Sequence, residues 1–183
     1  MRYINISAYC NAKWITDGND GTEGIERAVF HEKYLTDGKI EGSGYSFLPP
    51  KRGNDTIRCK GQRIKVENGA GAAELAIAYF AVYGLFIEPI RLEYESGRTE
   101  EVTLGFKDHL WVFVEYSHRG WTDLRKNEPC GEKVLEFFYP RDGIDMRGAV
   151  WAHCVPLAKG EKLAAVLLPD NEFVNICGLT LRD

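Results

Sequence analysis

Turn-forming residues interrupt this chain so often that little room remains for long helices. Among its 183 residues are 19 glycines and 7 prolines, which divide the sequence into short segments. Glycine and proline weaken helix interiors and are common in the turns that join strands. The pattern predicts an all-β chain of short strands, arranged as an antiparallel two-sheet β-sandwich or jelly roll.

The length and the balance of residue types fit one globular domain. The chain is 44% hydrophobic and 27% charged, and domains of roughly 100–200 residues have one core. We therefore expect a single β-sandwich domain over residues 1–183. Polar, glycine-containing stretches at 17–24, 37–44 and 49–55 predict a loop-rich N-terminal third.

Several segments have the residue types and the short length of strands. They are 3–9, 56–59, 63–66, 110–116, 134–139, 150–156, 162–168 and 173–181. In the last segment the apolar positions change from even (Val174, Ile176) to odd (Leu179, Leu181). A bulge near Cys177-Gly178 would reconcile the two halves.

The clearest local signal is a β-hairpin formed by residues 90–95 and 99–104. Apolar and polar residues alternate on both arms, which is typical of strands with one buried face. A three-residue loop at 96–98 would place Leu92 opposite Val102 and Ile90 opposite Leu104. Gly97 would supply a positive φ in this turn.

Residues 70–83 support two interpretations. The segment is rich in alanine, which favours a helix. However, Leu75, Ile77, Tyr79 and Tyr83 fall on one parity and Ala76, Ala78, Phe80 and Val82 on the other, as in a strand that is buried on both faces. We predict a central strand.

Charge and hydropathy argue against two classes of partner. Twenty-three basic and 27 acidic residues are interleaved, with a net charge of −4, which gives no electrostatic reason to expect nucleic acid or an anionic membrane. The longest apolar run, 75–87, is shorter than the ~18 residues of a spanning helix. The N-terminus lacks the pattern of a signal peptide, so we expect a cytoplasmic protein unless the chain was cut from a longer secreted one.

The five cysteines do not predict a disulfide framework or a zinc site. They are odd in number and widely spaced, without a C-x-x-C pair. We expect them to act as small apolar residues in or beside the core.

From about Glu41 onward, several motifs occur together in a familiar order. They are the turn Gly42-Ser43-Gly44-Tyr45, the stretch from Asn54 to Gly61-Gln62, the hairpin around Gly97 that continues to Asp108, and a closing strand within 162–181. In this combination the chain resembles the galactose-binding-like β-sandwich modules that accompany bacterial glycosidases. The resemblance implies a jelly-roll fold, a carbohydrate-related setting without catalysis, and often a structural calcium far from the ligand face. The Ser-Asp-Trp that usually follows the hairpin is replaced here by Lys107-Asp108-His109, with Trp111 two residues later.

Residues 108–123 have the side chains that a sugar site needs. Flat aromatic rings stack on the apolar face of a pyranose, and charged or planar polar groups bond its hydroxyls. The candidate ligand-binding residues are Asp108, His109, Trp111, His118, Arg119 and Trp121. Trp111 could instead be a core residue and Trp121 a loop anchor, whereas Trp151 lies in an apolar strand and is expected in the core. Trp14, in a loop-rich region, has no assigned place.

Metal sites have weaker support. His109, Glu115, His118 and His153 form the only available set for a cupin-like centre, and their spacing does not reproduce its compact cluster. Asp17, Asn19, Asp20 and Glu23 could bind calcium but fail the EF-hand pattern, so a polar turn is the favoured interpretation.

No nucleophile elbow, Walker loop or dinucleotide motif occurs in the sequence. The sequence therefore favours a non-catalytic carbohydrate-binding or carbohydrate-associated accessory domain. A protein-interaction or assembly domain is the alternative, and a metal-dependent jelly-roll enzyme acting on sugars is the less favoured one.

Overall fold

The structure, a computed structural model, describes residues 1–16, 30–51, 53–110, 130–141 and 144–183. These residues form fourteen strands and one 3₁₀ helix at Glu32–Tyr34. The strands are β1 (Arg2–Tyr3), β2 (Ile15–Thr16), β3 (Phe30–His31), β4 (Ile40–Gly42), β5 (Tyr45–Phe47), β6 (Ile57–Arg58), β7 (Arg63–Lys65), β8 (Glu74–Ala81), β9 (Phe86–Tyr94), β10 (Thr99–Phe106), β11 (Glu132–Arg141), β12 (Ile144–Pro156), β13 (Leu163–Leu167) and β14 (Val174–Arg182). Within these ranges, no helix has the length and apolar character needed to cross a membrane.

Two antiparallel sheets make up most of the fold. The central sheet has the order β1-β14-β8-β12-β11, and β6 also pairs with β14. The second sheet has the order β10-β9-β13-β7. The chain is thus almost all β, as in an all-β sandwich, and the prediction of this fold class is confirmed at that level.

The alanine-rich segment forms the middle strand of the central sheet. β8 pairs with β14 on one side and β12 on the other, and every residue from Leu75 to Ala81 is buried. A strand buried on both faces has no solvent-facing side chains, so tertiary packing outweighs the helix propensity of alanine. The prediction of a central strand is confirmed over 74–81.

Apolar side chains cover both faces of the central sheet. On one face, Leu75 and Ile77 belong to a cluster with Leu92 of β9 and Val166 of β13, between the two sheets. We call this the inter-sheet core.

On the opposite face, Phe80 belongs to a second cluster with residues from the N-terminal third and from β11. Trp14, which the sequence left unplaced, is 1% exposed in this cluster and stacks on Phe80 at 4.2 Å between ring centroids. The small β2-β3 and β4-β5 pairs therefore help to form a third layer that the two-sheet prediction did not include.

The irregularity in β14 lies where the parity change predicts it. The register with β8 shifts between Ile176 and Gly178, so the predicted bulge is confirmed. A Cβ on Gly178 would lie 2.6 Å from Cβ of Phe47. The close approach of the third layer therefore requires glycine at this position.

The turn of the β9-β10 hairpin is one residue earlier than predicted. The Tyr94 amide donates to the Arg98 carbonyl (2.9 Å), and the Gly97 amide donates to the Tyr94 carbonyl (3.0 Å). The loop is therefore 95–97, with Gly97 at φ 87°. A β-turn followed by a glycine in the left-handed region is a common three-residue connection.

This turn changes the strand register. Ile90 pairs with Val102 and Leu92 with Glu100, so the predicted partners are wrong by two residues. The buried face is unaffected because side chains alternate with a period of two.

The first predicted strand is also shorter than expected. β1 ends at Tyr3, followed by one further bond from the Ile4 amide to the Leu179 carbonyl (3.0 Å), although Ile4 and Ile6 remain buried. The Ser7 amide donates to the Asn5 side chain (3.0 Å), and the Tyr9 amide donates to the Ile6 carbonyl (2.9 Å). These local bonds form a turn in place of the predicted strand over 3–9.

Candidate functional site

The first two candidate residues lie where the chain passes from the second sheet to the central one. After β10, residues 107–109 run between β8 and β12. The Ala81 amide donates to the Lys107 carbonyl (2.9 Å), and the Ala149 amide donates to the His109 carbonyl (2.8 Å). The direct pairing of β8 with β12 begins only at Trp151, so this segment separates the two strands at one end of the sheet.

His109 is held by hydrogen bonds within the fold. It is 4% exposed, and its Nδ1 lies 3.1 Å from the Ala81 carbonyl oxygen. Because a carbonyl only accepts, we assign the ring proton to Nδ1, and Nε2 then accepts from the Tyr139 hydroxyl at 3.0 Å. Both ring nitrogens are thus occupied, which makes His109 an anchor for the segment that follows it.

Asp108 connects this segment to the turn after β8. Its Oδ1 accepts from the Leu110 amide (2.7 Å), and its Oδ2 accepts from the Gly84 amide (2.8 Å). The Trp151 indole donates to the Asp108 carbonyl (3.2 Å). Trp151 is 3% exposed, so the prediction that it belongs to the core is confirmed.

The chain returns to the same region at Cys130 and Gly131. Cys130 forms a parallel bridge with Gly105 at the end of β10. The Gly131 amide donates to the Tyr79 hydroxyl (3.3 Å), which donates to the Gly105 carbonyl (3.0 Å). Burial raises the pKa of Tyr79, so its hydroxyl stays protonated and holds this junction.

His153 lies beside the same junction. Its ring stacks on Tyr79 at 4.9 Å between centroids, and its Nε2 lies 3.0 Å from the Gly105 carbonyl oxygen. Burial, together with the nearby charge of Lys107, lowers the pKa of His153 to about 4, although the hydrogen bond to Gly105 opposes the shift. A neutral, Nε2-protonated ring therefore donates to Gly105 at neutral pH.

The structure brings only part of the predicted site together. Asp108 and His109 are adjacent where the chain passes from the second sheet to the central one. Trp111, His118, Arg119 and Trp121 lie outside the described residues. The ligand-binding role of the whole set stays a prediction. In what the structure does show, Asp108 and His109 fix the start of the segment that carries the other four.

The described residues give no support to the hypotheses of a metal site. Among those residues, no three His, Cys, Asp or Glu side chains come close enough to hold an ion. Glu115 and His118 lie outside them, as do all four calcium candidates, Asp17, Asn19, Asp20 and Glu23. None of the five cysteines, all of which lie within the described ranges, forms a disulfide bond.

Sequence reasoning missed an exposed aromatic cluster at this end of the sandwich. Tyr83 is 70% exposed, and its ring meets Phe173 at 5.6 Å between centroids, nearly perpendicular at 86°. Phe173 in turn stacks on Phe86 at 5.8 Å. Beside these rings, Asn171 Nδ2 donates to Oε1 of Glu88 in β9 (2.7 Å). We call Tyr83, Phe86, Glu88, Asn171 and Phe173 the rim cluster.

Parity placed Tyr83 on the buried face of β8 with Leu75 and Ile77, and this placement is wrong. β8 ends at Ala81, and Tyr83 has φ 69°. That conformation costs a non-glycine residue about 1 kcal/mol and turns the ring outward. The one sequence signal is the Tyr83-Gly84 pair before Leu85, because glycine marks a turn.

Comparison of the chain with protein-family models finds no match, and comparison with curated proteins finds none either. The arguments for function therefore rest on the residues and contacts of the chain itself. The resemblance to galactose-binding-like modules stays a prediction.

Proposed function

We propose that the protein is a non-catalytic carbohydrate-binding domain of the galactose-binding-like, jelly-roll type. The segment 111–129, which carries Trp111, His118, Arg119 and Trp121, supplies the ligand contacts. Asp108 and His109 position its start, and Gly131 positions its return.

One observation carries this proposal. The residues that flank the segment, 107–110 on one side and 130–131 on the other, are bonded to the same end of the central sheet. A binding segment on a rigid scaffold loses less conformational entropy when it binds a ligand than one on a mobile support. Aromatic and guanidinium side chains on such a base are suited to stacking on a sugar and to bonding its hydroxyls.

The test compares two tryptophans. Trp121→Ala should abolish most sugar binding, because truncating a stacked aromatic anchor costs about 2 kcal/mol or more. Trp151→Ala should instead cost roughly 3–5 kcal/mol of stability by leaving a cavity. Binding is measured on a glycan array and by calorimetry, and folding by thermal melting.

Two results contradict the proposal. One is the absence of binding to any plant, bacterial or host glycan at millimolar concentration. The other is a Trp121→Ala protein that unfolds but binds normally per folded molecule, since Trp121 would then be structural.

An assembly domain is the second candidate, and the exposed side chains of Tyr83 and Phe173, which contact each other, favour it. Exposed apolar groups that lie together often mark protein interfaces. Light scattering that shows a tight oligomer, dissociated by Phe173→Ser, would favour this function over carbohydrate binding.

A further inference from the structure

The rim cluster presents a supported aromatic surface at the end of the sandwich where β8 ends and β14 begins. The Tyr83 ring leans on Phe173, and Phe173 stacks on Phe86 with ring planes 16° apart. Phe86 is half-buried and packs against the inter-sheet core. The exposed ring therefore rests on side chains that the fold holds in place.

The backbone around Tyr83 is fixed on both sides. The Val82 amide donates to the Phe173 carbonyl (3.0 Å), and the Gly84 amide donates to Asp108 Oδ2 (2.8 Å). Between them, Tyr83 has a left-handed backbone conformation, which is unfavourable for a tyrosine. Strained backbone conformations are common at ligand-binding sites, and Tyr83 is 70% exposed in this one, which points to a role in binding.

Polar groups of fixed orientation lie beside these rings. The Asn171 Oδ1 accepts from the Phe173 amide (3.0 Å), and its Nδ2 donates to Glu88 (2.7 Å). A carboxylate has several acceptor sites, so Glu88 can accept from ligand hydroxyls as well as from Asn171. Asp108 adds a second carboxylate next to the Tyr83 turn, which disfavours an anionic ligand.

We propose that the rim cluster binds a neutral pyranose, with Tyr83 stacking on the apolar face of the sugar and Glu88 and Asn171 bonding its hydroxyls. A sugar ring combines one C–H face with hydroxyl donors along its edge, and the cluster offers the complement of both. The inference rests on the proposed function, to which it adds a second sugar-binding subsite formed by the rim cluster. Asp108 connects the rim cluster to the start of the proposed binding segment, because it accepts from the Gly84 amide in the Tyr83 turn and from the Leu110 amide.

The experiment is calorimetry on the full chain with a panel of oligosaccharides. The neutral probes are hexasaccharides of glucose, xylose, mannose and galactose, and the anionic probe is an oligogalacturonate. At least one neutral probe should bind, and Tyr83→Asn should weaken it by about tenfold or more, because it removes the ring while keeping a residue that tolerates φ > 0. Tyr83→Phe keeps the ring and should bind within about threefold of the unchanged protein.

Phe138→Thr is the matched control. Phe138 is another exposed aromatic residue, on the outer strand β11 of the central sheet. Its replacement should leave binding unchanged. Thermal melting of each variant checks that the protein is folded.

Each other outcome overturns the inference in a distinguishable way. If no probe binds, both this subsite and the proposed function fail. If a neutral probe binds and only Trp121→Ala weakens it, the proposed function stands and the rim subsite is wrong. Tighter binding of the oligogalacturonate rejects the neutral class. A Tyr83→Asn protein that changes from oligomer to monomer without losing sugar affinity would show that the cluster is a protein interface.

Discussion

The molecule has two aromatic clusters of similar composition and opposite environment. Trp14 lies 4.6 Å from Phe30 and 4.2 Å from Phe80 between ring centroids, and all three residues are buried where the third layer meets the central sheet. In the rim cluster, Tyr83 and Phe173 contact each other at 5.6 Å between ring centroids but are exposed to solvent. Residue type does not distinguish the clusters, whereas burial does, so we expect one to stabilise the fold and the other to be available to a ligand.

The largest effect should come from emptying the buried cluster. Trp14→Ala removes a fully buried indole, and truncations of this kind cost roughly 3–5 kcal/mol through lost transfer energy and the residual cavity. Urea denaturation measures the change. Phe138→Ala, at an exposed position, is the control and should change stability by about 0.5 kcal/mol or less. Equal effects of the two variants would contradict the assignment of Trp14 to a core.

The next effect concerns a buried polar ring in the inter-sheet region. The pKa of His153 falls from 6.5 to about 4 on folding because burial disfavours its charged form. The unfolded chain therefore binds the proton first. The contribution of neutral His153 to the free energy of unfolding is therefore fully present above pH 6.5. It is lost as the pH falls towards 4, by at most about 3 kcal/mol.

The measurement is the free energy of unfolding between pH 7.5 and pH 4 for the unchanged protein and for His153→Gln. The variant retains an amide donor for the Gly105 carbonyl but does not titrate in this window. Subtracting its profile removes the contribution of the carboxylates. A difference between the two profiles that does not depend on pH would show that His153 is not buried in the neutral form.

A smaller effect is expected at Gly97, which has a positive φ as Tyr83 does. Gly97 has φ 87°, and no atom lies within 4 Å of a Cβ added there. Gly97→Val should therefore destabilise the fold by about 1 kcal/mol or more through backbone strain alone. Gly97→Asn, with a residue that tolerates this conformation, should cost less. An unchanged melting temperature for both variants would contradict the structure of the turn.

The sequence predicted features that depend on alternation within a strand. The two faces of β8 and the bulge between Ile176 and Gly178 follow from which residues share a face, and the burial of Trp151 follows from its place in an apolar strand. The hairpin partners could not be settled this way, because a shift of two residues keeps the same face buried.

Features that depend on where a strand ends were not predictable. Tyr83 continues the apolar parity of β8, and only the end of pairing at Ala81 and a positive φ turn it outward. Trp14 is the converse case. It precedes a two-residue strand with no pattern to read, and it is buried because the third layer folds over Phe80.

The smallest expected effect on stability is that of Tyr83 itself. Tyr83→Asn removes the ring contact with Phe173, a loss of roughly 0.5 kcal/mol, but relieves part of the strain of the left-handed conformation because asparagine tolerates it. The two terms oppose each other, so the free energy of unfolding should change by less than about 0.5 kcal/mol. Urea denaturation beside Trp14→Ala measures it. A loss of about 2 kcal/mol or more would mean that the Tyr83 ring holds the β8-β9 turn together, and the left-handed conformation would then have a structural cause and would no longer support a binding role.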